Sequence, residues 1–277
     1  MIENDWAAIE HRLGVLPLLD AFFEPRGALD DVVAGRKLGA LGLFTPTPEP
    51  GWGAGAIAGE RSGEGILLRG DVRLPYPAAD GSIVLVRLGD AEHRLAWLDH
   101  GAPGVERRGS RSGGPVGHGP CWLHIDGATA GPDLVSRPVR LTEDGELWRC
   151  LETYASGWAS AAASCARDGV RALRRAARTS GFNASQLVAL GITEVEIEAD
   201  LTAAAVQRTG GLAVAVAAGR TLRAVAAKTE ELRDVFGLEI DSLLATGSTK
   251  ILTAFLGGSL LLESELARAL GIREEGR

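Results

Sequence analysis

The sequence predicts an α+β protein with three parts. These are a short N-terminal helical segment, an antiparallel β-barrel or sandwich in the middle, and a C-terminal up-and-down four-helix bundle. Two observations carry this. Between about Gly65 and Val135 short β-branched runs alternate with Gly-Asp turn pairs. From Glu146 onward apolar residues recur every three or four positions in long alanine-rich stretches. The expected domains are residues 1–44, 45–140 and 141–277.

At the N-terminus Trp6, Ile9, Leu13 and Leu16 recur at helical spacing, and Pro17 is expected to interrupt. A second helix is expected over Ala28–Ala40. Thr45 to Gly55 is rich in proline and glycine and reads as a loop.

The strand signals follow. Gly65-Ile66-Leu67-Leu68 leads to a turn expected at Gly70-Asp71. Ser82–Leu88 is a second strand, Gly89-Asp90 turns, and His93–Leu98 is a third. Residues 101–120 read as a long loop or frayed hairpin. Trp122–Ile125 is the last strand expected.

The helical faces are Leu147, Leu151, Tyr154, Trp158, Ala161 and Cys165, then Val188, Ile192, Val195, Ala199, Thr202 and Val206. A third face takes Leu212, Ala215, Gly219, Leu222, Ala226 and Phe236. Gly181, Gly210-Gly211 and Gly237 are the expected stops. A fourth helix is expected from about Ser248 to Ala269. Short connections between helices of this length specify a bundle.

Composition excludes several classes. Of 277 residues 45% are hydrophobic and 23% charged, as in a globular protein. A net charge of -7 gives a nucleic-acid partner no electrostatic support. The most apolar run, Ile251–Leu262, is short of the ~20 residues that span a bilayer, so no membrane partner is expected. The N-terminus has no apolar signal core. Cys121, Cys150 and Cys165 have no metal-type spacing and do not pair evenly, which fits a reducing cytoplasmic setting.

Several stretches together resemble the acyl-CoA dehydrogenase family. Gly65-Ile66-Leu67-Leu68-Arg69-Gly70-Asp71-Val72 resembles its "G-y-x-L-x-G-x-K" hairpin, and Ile83-Val84-Leu85-Val86 falls where its next strand belongs. Gly104-Val105 is similar to its "PGV" turn. Trp122 to Val135, with Ile125-Asp126 and Pro132-Asp133-Leu134, resembles the strand leading into its bundle. Ala172–Ala176 followed by Gly181-Phe182 and Ser185-Gln186 resembles the end of its first bundle helix.

The resemblance implies α,β-dehydrogenation of an acyl thioester carried on CoA or an acyl-carrier protein. It implies FAD and assembly through the bundle, with the acyl cleft where the β part meets the helices. By position, Phe44, Thr45, Leu74 and Tyr76 take the flavin-contact places. The departures are in the chemistry. The flavin-packing "W-[IV]-[ST]-N" falls on Leu74-Pro75-Tyr76-Pro77, without its aromatic-plus-hydroxyl set. The Glu of "Y-E-G-T" falls on Thr246, which cannot act as a base; Ser248-Thr249 reads as a helix N-cap. Other members place the base on the first bundle helix, where Glu152 stands among Leu151, Tyr154 and Trp158. These departures lead to the expectation of a partner-dependent subunit that holds FAD weakly. It would form a homo- or hetero-oligomer with a fuller subunit. The alternatives are a flavin-independent enzyme on a thioester or biosynthetic intermediate, and a non-catalytic assembly subunit.

Other motifs favour plain roles. The five histidines are scattered without ligand spacing, so no metal is expected. Gly51–Gly55 follows no strand and lacks a Lys-Ser/Thr, so it reads as a loop. Arg107, Arg108 and Arg111 read as a solvated loop cluster able to meet phosphate. Arg174, Arg175 and Arg178 read as a polar helix face.

Overall fold

The computed structural model describes residues 6–24, 27–43, 57–63, 65–74, 79–108, 121–142, 145–182 and 185–237. The expected fourth helix, the 45–55 loop, Thr246 and most of the 101–120 loop lie outside these. Two compact units are present, Met1–Tyr154 and Ala155–Arg277.

In the first unit α1 (Trp6–Glu10) runs through one π-helical turn (His11–Val15) into α2 (Leu16–Phe22). Pro17 does not end the helix as expected. It sits in the first turn of α2, and the π turn before it carries Leu16 N–H to the His11 carbonyl. A widened turn relieves the clash that proline causes in a regular helix. The buried face moves as a result. Ile9, Leu13 and Leu16 are half-exposed, whereas Glu10, His11, Val15, Leu18, Leu19 and Phe22 are buried.

The expected helix over Ala28–Ala40 is instead a 3-10 turn (Gly27–Leu29), one turn of α3 (Asp30–Val33) and then a strand, β1 (Gly39–Gly42). Gly35, at φ 69°, takes the left-handed conformation that stops α3.

The remaining strands are β2 (Ile57–Ser62), β3 (Gly65–Leu74), β4 (Gly81–Leu88), β5 (Glu92–Asp99), β6 (Val105–Arg108) and β7 (Cys121–Ala130). They form one mixed sheet in the order β1-β4-β2-β3-β7-β6, with β5 on the other side of β4. The expectation of an antiparallel sheet is therefore corrected. β1 and β2 both pair in parallel with β4, Gly39–Gly42 against Gly81–Val84 and Ile57–Gly59 against Val86–Leu88. They lie end to end along one edge of β4 while β5 holds the whole of the other. The continuous apolar run of β4 fits this, since Gly81–Val86 are all buried.

The turn expected at Gly70-Asp71 is also absent, because β3 runs straight through it. The register between β3 and β7 shifts after Leu68, where Gly127 (φ 78°) has no partner across the ladder. One extra residue on β7 absorbs the irregularity as a bulge. Gly104 (φ 81°) packs against that bulge, and a Cβ there would lie 2.6 Å from the Asp126 carbonyl oxygen. Gly104→Ala is expected to destabilise the protein by about 2–4 kcal/mol, from backbone strain plus overpacking. The urea midpoint measures it; an unchanged midpoint would show that the loop moves freely.

The core of the unit is built from side chains of the sheet. Leu68, Val72, Val84, Ala96, Leu98 and Leu123 meet there. The Gly89 turn (φ 62°) between β4 and β5 is as expected.

In the second unit α4 (Glu146–Thr179), whose first turns belong to the first unit, is followed by α5 (Gln186–Arg208) and α6 (Leu212–Phe236). Gly181, Gly211 and Gly237 all have positive φ at the breaks, as expected. Ion pairs Arg167–Asp200 (2.8 Å) and Arg174–Glu196 bring α4 and α5 together antiparallel. The Thr202 and Thr221 hydroxyls, 2.8 Å apart and buried, do the same for α5 and α6. Ser156 Oγ accepts Gly211 N–H at 2.7 Å and holds the α5–α6 turn. The expected faces are buried at Val188, Ile192, Val195 and Ala199 on α5 and at Ala215 and Leu222 on α6. On α4 the face drifts by one residue after Trp158, so Ala162 and Ala166 are buried and Ala161 and Cys165 half-exposed.

Candidate functional site

Of the residues assigned to a site from sequence, two are described. Glu152 lies on α4, half-buried, between the buried Leu151 and Tyr154. Leu74 ends β3 opposite Cys121, with its side chain wholly inside the sheet core. Any contact it makes to a ligand is through its backbone. Phe44, Thr45 and Tyr76 lie outside the described residues. No group of three His, Cys, Asp or Glu side chains is placed to bind a metal among the described residues. No described helix is long and apolar enough to cross a membrane.

Two polar clusters that sequence spacing does not single out are buried in the first unit. The first lies at the free edge of β1. The N–H groups of Ala40 and Gly42 point toward β4, so those of Gly39 and Leu41 point the other way. Glu10 Oε1 accepts the Leu41 N–H at 2.8 Å, and His11 Nδ1 accepts the Gly39 N–H at 3.1 Å. Two successive side chains of one helix thus satisfy two alternate amides of an edge strand, which otherwise stays open to wrong pairing. The π turn starts at this point and sets both side chains against the strand.

The electrostatics are unusual. Glu10 is fully buried, and its Oε2 has no hydrogen-bond partner among the described residues. Burial pushes its pKa up to about 8, opposed by the Leu41 N–H. Burial also pushes His11 down, so the imidazole stays neutral. Cys121, across the core, is a thiol raised by burial and by Glu10. Glu10 shows one sequence signal, a carboxylate i+4 from Trp6 and four before Gly14 on the inward side of the helix. The proline-based break at Pro17 obscures it.

The second cluster joins β4 to the end of β5. His100 Nδ1–H donates to the Ala79 carbonyl at 2.9 Å, and the Ser82 hydroxyl donates to His100 Nε2 at 3.0 Å. Arg107 donates to the same Ala79 oxygen at 2.9 Å. A serine, an imidazole and an orienting acceptor have the arrangement of an activated nucleophile. Here both side chains are buried, and burial followed by the Arg107 charge depresses His100 to about 4. A sealed serine beside so weak a base does not attack substrate; the cluster ties β4 to β5.

By sequence, no family model and no curated protein matches the chain. By structure, the similarities are extensive. FkbI, described as serving biosynthesis of the methoxymalonyl extender unit of a polyketide immunosuppressant, superposes with a TM-score of 0.73 at 17% identity. That match covers 96% of this chain and 79% of FkbI. A glutaryl-CoA dehydrogenase from Mycobacterium smegmatis, in complex with FADH2, matches with a TM-score of 0.68 at 16% identity, over 97% of this chain and 75% of its own. Butyryl-CoA dehydrogenase from Megasphaera elsdenii gives 0.71 at 14% identity, over 94% and 75%. The resemblance read in the sequence thus holds at the level of architecture, and the chain has the acyl-CoA dehydrogenase fold.

Proposed function

We propose that this chain is an acyl-CoA-dehydrogenase-like subunit that acts on an acyl thioester beside a fuller subunit and retains FAD weakly by itself. What supports this is the pairing of a fold likeness over 96% of the chain with the burial in the core of Leu74, which the sequence resemblance gives to flavin contact. FAD, when bound in this fold, accepts the hydride of α,β-dehydrogenation. Of the positions that the resemblance gives to flavin contact, Leu74 alone is described. An apolar stripe on α5, exposed at Leu187, Leu190, Ile197 and Leu201, supports an assembly role. The test is the absorbance spectrum of the chain purified alone. Flavin bands well below stoichiometry are expected. A yellow homo-oligomer fully loaded with FAD would overturn the reading.

A flavin-independent enzyme on a thioester is the second reading. Glu152, half-buried beside Leu151 and Tyr154 on α4, favours it, since a carboxylate in a partly apolar setting suits proton abstraction. Glu152→Gln is then expected to lower product formation by about 100-fold or more, as loss of a general base does. Unchanged turnover in both Glu152→Gln and Tyr76→Phe would remove these residues from the chemistry.

A further inference from the structure

The Glu10 carboxyl holds more than an ordinary edge contact requires. A strand edge can be covered by any acceptor, and the neutral His11 imidazole does this for Gly39. At Leu41 the acceptor is instead an acid with one oxygen bonded and the other buried without a partner. An ionised carboxylate left this way is costly, because burial removes its hydration and one N–H replaces little of it. A neutral carboxyl is tolerated, with Oε1 accepting from Leu41 and the proton on Oε2.

The groups that face it do not supply a countercharge. His11, beside it on the π turn, is held neutral by burial. Its Nδ1 is occupied as an acceptor for Gly39, which leaves the ring proton on Nε2. Cys121, at the start of β7, is held as the thiol. The Leu41 N–H is the group that opposes the burial.

The support beneath the carboxyl is also narrow. β1 is four residues long and, among the described residues, pairs on one side only, with β4. On its other side Glu10 and His11 replace a neighbouring strand. The π turn that presents them is a single turn between two α-helical segments, a geometry less stable than the helix around it. A contact built from one π turn and one edge strand is a small unit, of the kind that opens locally.

The geometry points to a proton-operated latch at the free edge of β1. With a proton on its outer oxygen the Glu10 carboxyl holds the Leu41 N–H. On losing that proton to solvent base it lets α1 and the π turn lift from the strand. The proton leaves from Oε2, the Leu41 hydrogen bond breaks, and water takes the place of both partners. The reverse step needs only protonation. The latch operates whether or not the chain binds a thioester, so it stands apart from the proposed activity.

Amide hydrogen exchange of Gly39–Gly42 in the full-length chain tests this, with rates referred to an unstructured peptide at each pH. The folded group binds its proton at about pH 8, whereas an exposed one does so at 4.5. Protection in the wild type is therefore expected to fall by up to about tenfold per pH unit between pH 6.5 and 8 and then to level; below 6.5 protonation of His11 opposes the trend. Glu10→Gln keeps the acceptor for Leu41 and cannot ionise, so its protection is expected to be flat between pH 6.5 and 8. Equal slopes in the two proteins, or no slope in the wild type, would overturn the latch. Infrared spectroscopy of the wild type needs no variant. The carbonyl stretch of a protonated carboxylic acid should persist at pH 7 and vanish through pH 8, and its absence at pH 7 would overturn the proposal equally.

Discussion

Stability of the full-length wild-type chain is expected to peak near pH 6.5 and to fall on both sides. The alkaline arm belongs to Glu10. Its folded form keeps, up to about pH 8, a proton that the unfolded chain gives up above 4.5. The folded state binds more protons in that window, so stability falls as pH rises, by about 1.4 kcal/mol per unit, and levels above 8. The acid arm belongs to the histidines. His100 binds its proton at about 4 when folded and at 6.5 when unfolded. Its contribution is therefore lost as pH falls from 6.5 toward 4, with a similar slope of about 1.4 kcal/mol per unit. His11 and His93, both lowered by burial, act in the same direction. Between 4.5 and 6.5 His100 about cancels Glu10, and the lowering of His11 and His93 tips the balance, which places the maximum at the upper end of that range. Above pH 9 the thiols of Cys121, Cys150 and Cys165, all raised by burial, extend the loss. Urea unfolding at pH 5, 6.5 and 8 measures the curve. A stability that climbs steadily from pH 5 to pH 8 would contradict it. Glu10→Gln is expected to flatten the alkaline arm and to steepen the acid arm, where Glu10 opposes the histidines.

Trp158→Ala is expected to cost about 3–5 kcal/mol, the range for removing a fully buried large aromatic side chain. Trp158 has no exposed surface and lies a turn and a half past Glu152 on α4. The loss has two parts. The indole gives up its transfer from water, and the surrounding side chains close the void only in part. The alanines around it, Ala159 and Ala162, are small and fully buried, so they cannot reach into the gap. Glu152→Gln, six residues earlier on a half-buried position, should by contrast stay within about 0.5 kcal/mol of wild type. Denaturant midpoints for the two variants decide this. A Trp158→Ala protein within about 1 kcal/mol of wild type would mean that the indole is not a core element. The pair also separates folding from chemistry, since an inactive Glu152→Gln with an unchanged midpoint has lost a reacting group rather than its structure.

The legible parts of the sequence were those governed by near neighbours. The start of α4 at Glu146, the glycine breaks at Gly181, Gly211 and Gly237, and the turn at Gly89 all follow from local rules. Helical periodicity found the inward residues of α5, because a helix of 23 residues repeats its signal many times. Short elements were missed for the opposite reason. Gly39–Gly42 has no alternation, since all four residues are buried, and two of them are glycines. β2 is polar after Ile57. The Gly70-Asp71 pair has the composition of a turn, and only its partner strand, through Gly127, shows it to be continuous.

The candidate site divides along the same line. The resemblance placed Leu74 by position, and packing then directed its side chain into the core. Glu10 and His11 carried no motif. Their role exists because β1, itself unread, pairs with β4 forty residues away and leaves one edge open. Taken alone, the sequence determined an order of elements, a β part before long helices, and through it the acyl-CoA dehydrogenase architecture. Only the tertiary structure decided the parallel pairing, the bulge and the buried acid at the edge of β1. Hydrogen-bond registry and burial are properties of residues distant in the chain, and no local pattern encodes which amide a carboxyl will meet.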